Sequence, residues 1–85
     1  MKIEEIIKKQ KIKVQLKDKP NYNVFSNGAL YNPAAGTIIL IRKIKLNNAK
    51  TWLEFKGVLK TDPEKNIKFS INPENIDKHL KILDY

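Results

Sequence analysis

The stretch TIILIRKIKL at residues 37–46 is followed by the polar turn NNAK at 47–50 and by TWLEFKGVLK at 51–60. Apolar and charged residues alternate through most of 37–46 and 51–60, with the period of two that is typical of a half-buried strand. Residues 38–41 are all apolar, which indicates a strand covered on both faces at that point. A bulge or sharp bend near Arg42 would keep the later apolar side chains inside. We therefore expect a long β-hairpin over residues 37–60.

Three further segments resemble strands. Residues 11–17, KIKVQLK, place apolar side chains on one face and lysines with one glutamine on the other. A short strand at 22–26 precedes the Asn-Gly pair at 27–28, which is typical of a tight hairpin turn because both positions accept a positive φ. Residues 67–71 form the last clear strand. The stretch ALYNPAAG at 29–36 has turn chemistry, and we interpret it as a long connection, with a recognition loop as the alternative.

Both ends of the chain are predicted to be helical. Residues 2–10 place isoleucines at helical spacing, with glutamates four residues before lysines. In FSINPENIDKHLKIL, residues 69–83, Asn72 and Pro73 form a plausible helix start, and apolar residues follow from Ile76 at helical spacing. The alternative is one turn of 3₁₀ helix followed by a short final strand. Of the two, we expect the helix.

This order of elements resembles that of small barrels. The closing stretch at 69–83 is similar to the end of an SH3-like barrel, where a strand leads through a 3₁₀ turn into a final strand. A helix ahead of five strands is similar to the Sm-like variant of that barrel. The predicted fold class is therefore α+β, mainly β: a small five-stranded antiparallel barrel or strongly bent sheet, with a short N-terminal helix and a C-terminal helix. The resemblance implies a fold and no particular function.

The composition restricts the class of protein. Eighty-five residues are enough for one domain, residues 1–85. The chain has no cysteine, which excludes a disulfide framework and a thiolate zinc site and fits the cytoplasm. The longest apolar run is residues 38–41, far short of the roughly 20 residues of a membrane span. We expect a cytoplasmic protein with no membrane association, and the sequence leaves its oligomeric state open.

Residues suited to catalysis are scarce. His79 is the only histidine, and its place beside the apolar stripe of the tail indicates a packing role. Ser26 and Ser70 have no evident base, and the three glycines form no phosphate-binding loop. We therefore expect no enzymatic activity, no metal ion and no cofactor.

The distribution of charge gives the clearest indication of function. The net charge is +8, and residues 8–60 contain twelve basic residues against two acidic ones. A genome rich in A and T would explain abundant lysine, although it would not explain the local lack of acids. A positive field of this kind attracts polyanions and speeds encounter with them.

Strand alternation predicts that these cations share one face of the sheet with a tryptophan. The candidate nucleic-acid-binding residues are Lys11, Lys13, Lys17, Arg42, Lys43, Lys45, Lys50, Trp52, Lys56, Lys60 and Lys68. The lysines would contact phosphates while Trp52 stacks on an unpaired base, although Trp52 also suits packing beneath a helix. Because the chain has one arginine, we expect weak sequence specificity. Whether the nucleic acid is single- or double-stranded is undetermined.

A protein partner is the alternative to nucleic acid. The chain would then be a compact accessory or inhibitor module, for example one encoded by a phage or another mobile element. Its anchor would be an exposed aromatic residue, because aromatic side chains dominate binding hot spots. The candidates are Tyr22, Phe25, Tyr31 and Trp52.

Overall fold

The computed structural model describes residues 3–19, 22–49 and 51–84. In chain order, their elements are α1 (Ile3–Lys9), β1 (Ile12–Leu16), β2 (Val24–Ser26), β3 (Ala29–Tyr31), β4 (Ile38–Leu46), β5 (Leu53–Leu59), β6 (Asn66–Ile71), a 3₁₀ turn (Pro73–Asn75), α2 (Ile76–His79) and β7 (Leu80–Asp84). The strands of these residues form one antiparallel sheet in the order β3-β2-β6-β5-β4-β1-β7.

The core lies on one face of this sheet, which we call the inner face. The alternating apolar residues predicted for β1, β5 and β6 are buried there, and the rings of Phe55 and Phe69 stack with their centroids 5.0 Å apart. Val24 near one end of the sheet and Leu80 on its last strand belong to the same buried cluster. The sheet is therefore curved around its core, and the opposite face, the outer face, carries the lysines that lie within the strands.

Helix α1 docks on the core through Ile6, which is 1% exposed. The side chain of Gln10 then fixes the end of the helix to β4. Its Nε2 donates to the carbonyl oxygen of Ile44 at 3.1 Å, and its Oε1 accepts from the Ile44 N–H at 3.0 Å. The predicted N-terminal helix is thus confirmed. None of the helices in the described ranges is long and apolar enough to cross a membrane.

A bulge interrupts the central hairpin where the sequence predicts it. Ile41 pairs with Gly57, but the next pair is Lys43 with Lys56, so Arg42 is the extra residue. Before the bulge Ile39 and Ile41 face the core, and after it Ile44 does. The bulge therefore keeps the apolar side chains inside and turns the two cations outward.

The mainly β class is confirmed, but several finer expectations about the fold are wrong. The described residues contain seven strands instead of five, and within them β3 and β7 do not pair, so the sheet is not a closed barrel. The stretch at 29–36 is not wholly a connection, because Ala29–Tyr31 pairs with β2 as β3.

The C-terminal helix is limited to a single turn. Asn72 caps the 3₁₀ turn by accepting from the Glu74 N–H at 2.9 Å, and α2 ends at His79. The chain then pairs with β1 as strand β7, beginning with Leu80 opposite Leu16. A final strand was the alternative given by the sequence. It prevails because pairing with β1 satisfies backbone groups along a whole strand, whereas a short isolated helix is marginal.

Candidate functional site

A row of four outward side chains crosses the middle of the outer face. Phe25 on β2 lies opposite Lys68 on β6, Lys68 lies opposite Lys56 on β5, and Lys56 lies opposite Lys43 on β4. Directly opposite residues of antiparallel strands share a face, with Cβ atoms about 5 Å apart. Three lysines and one aromatic ring are therefore neighbours, although they come from four different strands.

Two more cations and a tryptophan adjoin this row. Arg42, the bulged residue, lines a groove together with Lys56 and Lys68. Lys45 lies opposite Glu54 and lines a smaller hollow with Trp52. We use the name outer basic face for the following set: Arg42, Lys43, Lys45, Trp52, Lys56 and Lys68.

One carboxylate lies within the outer basic face. Glu54 Oε1 is 3.4 Å from the Nζ of Lys56 and 4.0 Å from the Nζ of Lys68. All three side chains are partly exposed to water, so each ion pair contributes little to stability. Five cations against one carboxylate leave the surface strongly positive.

Trp52 lies at the edge of this surface and is 52% exposed. The alternative that it packs beneath a helix is therefore wrong. Its backbone is nevertheless held, because the Trp52 N–H donates to Asn47 Oδ1 at 3.1 Å and its carbonyl accepts from the Asn47 N–H at 3.1 Å. Asn47 Oδ1 also accepts from the Thr51 N–H at 2.9 Å. The exposed indole therefore extends from a backbone position that Asn47 holds by two hydrogen bonds.

The groove beside the row has a volume of about 600 Å³, which is within the range of ordinary ligand sites. Gly57 and Val58 contribute to its lining, and Phe25 lies at its side, 36% exposed. Among the described residues that line it, every charged side chain is a cation. Sequence reasoning gave Phe25 only as an anchor for a protein partner. Its place beside the lysines depends on the pairing of β2 with β6, for which the sequence carries no local signal.

A second hollow, of about 580 Å³, continues from the groove toward Trp52. Phe25 and Lys68 line both the groove and this hollow, while Trp52 and Ser70 line only the second hollow. The two hollows therefore adjoin at Phe25 and Lys68, and the second one reaches Trp52.

The remaining predicted residues divide into three groups. Lys13 lies on the outer face opposite Leu40, and Lys11 precedes β1 beside it, so both flank the outer basic face without lying in the row. Lys17 and Lys60 lie apart from it, which corrects the expectation of one shared face. Lys17 Nζ donates to the carbonyl oxygen of Asp77.

Lys60 follows β5 at the opposite end of the strand from Trp52, where its N–H donates to the Ile38 carbonyl at 3.1 Å. The physical reason for both corrections is that alternation gives the face of a residue but not its position along a curved sheet. The predicted residue Lys50 lies outside the described residues.

A separate cluster surrounds His79, which is 7% exposed. Its ring packs on Tyr22 with centroids 5.1 Å apart, and its Nδ1 is 3.6 Å from Asp18 Oδ1. Burial raises the pKa of Tyr22 to about 12, and the Asp18 carboxylate adds to the rise. The packing role expected for His79 is confirmed. Over the described ranges, no three His, Cys, Asp or Glu residues are grouped in a way that could hold a metal ion.

Comparison with known proteins adds no relative: no protein-family model, no curated protein and no solved structure matches the chain significantly. The outer basic face is therefore the feature of this chain that bears most directly on function.

Proposed function

We propose that this protein binds nucleic acid through the outer basic face, with weak dependence on base sequence. The observation that carries the proposal is the row in which Lys43, Lys56 and Lys68 lie side by side, next to Arg42 and the exposed Trp52. A phosphate backbone carries closely spaced negative charges, and lysines that contact it release condensed counterions. An exposed aromatic ring beside such lysines offers a surface for stacking.

The proposed role is binding without catalysis. The cations of the outer basic face are lysines and one arginine, side chains that donate hydrogen bonds and accept none. The single histidine of the chain is buried against Tyr22 in a different cluster. Weak sequence specificity follows from the same composition, because lysine contacts to phosphates are similar for every base sequence.

The test compares two double charge reversals that change the net charge equally. Lys56→Glu/Lys68→Glu alters the row, whereas Lys8→Glu/Lys78→Glu alters exposed lysines on α1 and α2. We expect the wild type to bind a labelled oligonucleotide at low salt, the first variant to bind at least tenfold more weakly, and the control to change severalfold at most. Circular dichroism checks that both variants fold. Absence of wild-type binding at low salt, or equal loss in both variants, would contradict the proposal.

A protein partner is the second candidate, and one observation favours it. Leu30 on the short edge strand β3 is 68% exposed, and the unpaired side of an edge strand can pair with another chain. A partner captured from host extract that is lost with Leu30→Lys but retained by Lys56→Glu/Lys68→Glu would favour this alternative. The opposite pattern would exclude Leu30 as the contact.

A further inference from the structure

The groove beside Phe25 has the size and the lining of a site for a nucleobase. A flat ring needs an apolar surface to lie against, and the partly exposed ring of Phe25 provides it. The phosphate attached to that base needs cations within reach, and Arg42, Lys56 and Lys68 line the same groove. The groove therefore combines an aromatic platform with three positive charges, which is how proteins hold unpaired nucleotides.

Phe25 and Trp52 are too far apart to stack on the same base. Phe25 on β2 lies in the same row as Lys56 on β5, and β6 lies between these two strands. Trp52 lies four residues before Lys56, immediately before the start of β5. From ordinary strand spacing, the two α-carbons are roughly 16 Å apart. The hollow that joins them is lined by Lys68, so a chain crossing from one ring to the other passes a cation on the way.

We propose that the ligand is single-stranded nucleic acid, with one base in the groove against Phe25 and another on Trp52, and that its backbone passes Lys68 between them. This inference rests on the proposed function and specifies its ligand. In a duplex the faces of the bases are covered by their neighbours, so only base edges and phosphates are accessible. Aromatic platforms on a sheet face are useful only for bases that are unpaired.

The experiment uses the full chain and two probes, a single-stranded oligonucleotide and its duplex, at equal phosphate concentration and low salt. Trp52 is the only tryptophan, so its fluorescence reports directly on stacking. We expect the single strand to bind at least tenfold more tightly than the duplex and to quench the fluorescence.

Removal of one platform should weaken single-strand binding by about 5- to 150-fold, the measured range for loss of one stacked base. Phe25→Ala and Trp52→Ala test this, and neither should change binding of the duplex by more than about twofold. Phe25→Tyr should restore binding because it keeps the ring, whereas Phe25→Leu should not. Leu83→Ala is the matched control, since Leu83 is an exposed apolar residue on β7, at the far end of the sheet from β2.

Each possible result has a defined meaning. Equal affinity for the duplex and the single strand, with both aromatic variants unchanged and Lys56→Glu/Lys68→Glu inactive, overturns the single-strand inference and leaves the proposed function standing. Quenching of Trp52 with no effect of Phe25→Ala overturns the base site in the groove. A wild type that binds neither probe at low salt overturns both this inference and the proposed function.

Discussion

Lys56 and Lys68 lie directly opposite each other on neighbouring strands, and the carboxylate of Glu54 is 3.4 Å from the first ammonium group and 4.0 Å from the second. Like charges in directly opposite positions destabilise a sheet. A sheet selected for stability alone would place an acid at one of these positions. The pair therefore costs some stability, as a surface for the proposed polyanion would, and Glu54 relieves part of the repulsion.

Glu54→Gln should change stability and binding in opposite directions. Removal of the carboxylate leaves Lys56 and Lys68 uncompensated, so the free energy of unfolding should fall by about 0.2–1 kcal/mol. The same change makes the outer basic face more positive, so affinity for an oligonucleotide should rise by about two- to fivefold. Urea denaturation and a binding titration measure the two effects. The control is Glu64→Gln, an exposed glutamate in the turn before β6; an equal rise in affinity there would mean that net charge alone is responsible.

Asn47 should control the order of Trp52. Its side chain accepts from the N–H groups of Thr51 and Trp52 and donates to Thr51 Oγ1 at 2.9 Å. Asn47→Ala removes these bonds and should lower the free energy of unfolding by about 1–2 kcal/mol. The fluorescence anisotropy of Trp52 should also decrease, because the turn that holds it is loosened. Asn48→Ala, in the exposed neighbour, should change neither quantity; a matching decrease there would disprove the specific role of Asn47.

Gly57 cannot be replaced without moving the backbone of β4. A Cβ atom at this position would lie 2.1 Å from the carbonyl oxygen of Leu40 and 2.9 Å from the Cα of Ile41. Both contacts are with backbone next to the bulge, which cannot rotate away as a side chain would. Gly57→Ala should therefore lower the free energy of unfolding by at least about 2 kcal/mol, measured by urea denaturation.

Gly28→Asn is the control for the Gly57 prediction. Gly28 has a φ of 86° in the β2–β3 turn, and a Cβ there would have nothing within 4 Å. Since asparagine tolerates a positive φ, Gly28→Asn should lower the free energy of unfolding by less than about 1 kcal/mol. A Gly57→Ala variant as stable as Gly28→Asn would show that the bulge adapts.

The free energy of unfolding should fall in strong alkali because Tyr22 loses its phenolic proton there. Burial raises the pKa of Tyr22 from 10.0 to about 12, so the folded state binds the phenolic proton more tightly than the unfolded state. The resulting contribution to stability is complete below pH 10 and is lost as the pH rises toward 12. Tyr22→Phe should reduce this loss, measured as the difference in free energy of unfolding from wild type at each pH. The control is Tyr31→Phe, in which the free energy of unfolding should fall in alkali as much as in wild type. If the free energy of unfolding depended on pH identically in the two variants, the assignment to Tyr22 would be wrong.

Local patterns were sufficient to predict the central strands. The period of two in β1, β5 and β6 and the apolar run in β4 depend on neighbouring residues, and even the bulge at Arg42 follows from the change of phase along β4. Strand β3 was missed because it has three residues, of which Ala29 and Leu30 are exposed, and turn residues follow it. It is a strand only because β2 pairs with it.

The C-terminus and the candidate site depend on long-range pairing. Ile76 and Leu80 have the spacing of a helix, but the hydrogen bonds offered by β1 convert the residues after His79 into a strand. The lysines of the outer basic face could be assigned to one side of the sheet from alternation alone. Their order across it, and the presence of Phe25 among them, required the register between β2 and β6, which are about 40 residues apart in the chain.

The position of β7 beside β1 has a consequence for synthesis in the cell. Strand β1 lies between β4 and β7, so one side of it is completed only by residues 80–84, which are made more than 60 residues later. While the ribosome is still extending the chain, β1 presents an open hydrogen-bonding side to other polypeptides. Pairing of residues 80–84 with β1 is therefore the step that covers this side of the strand.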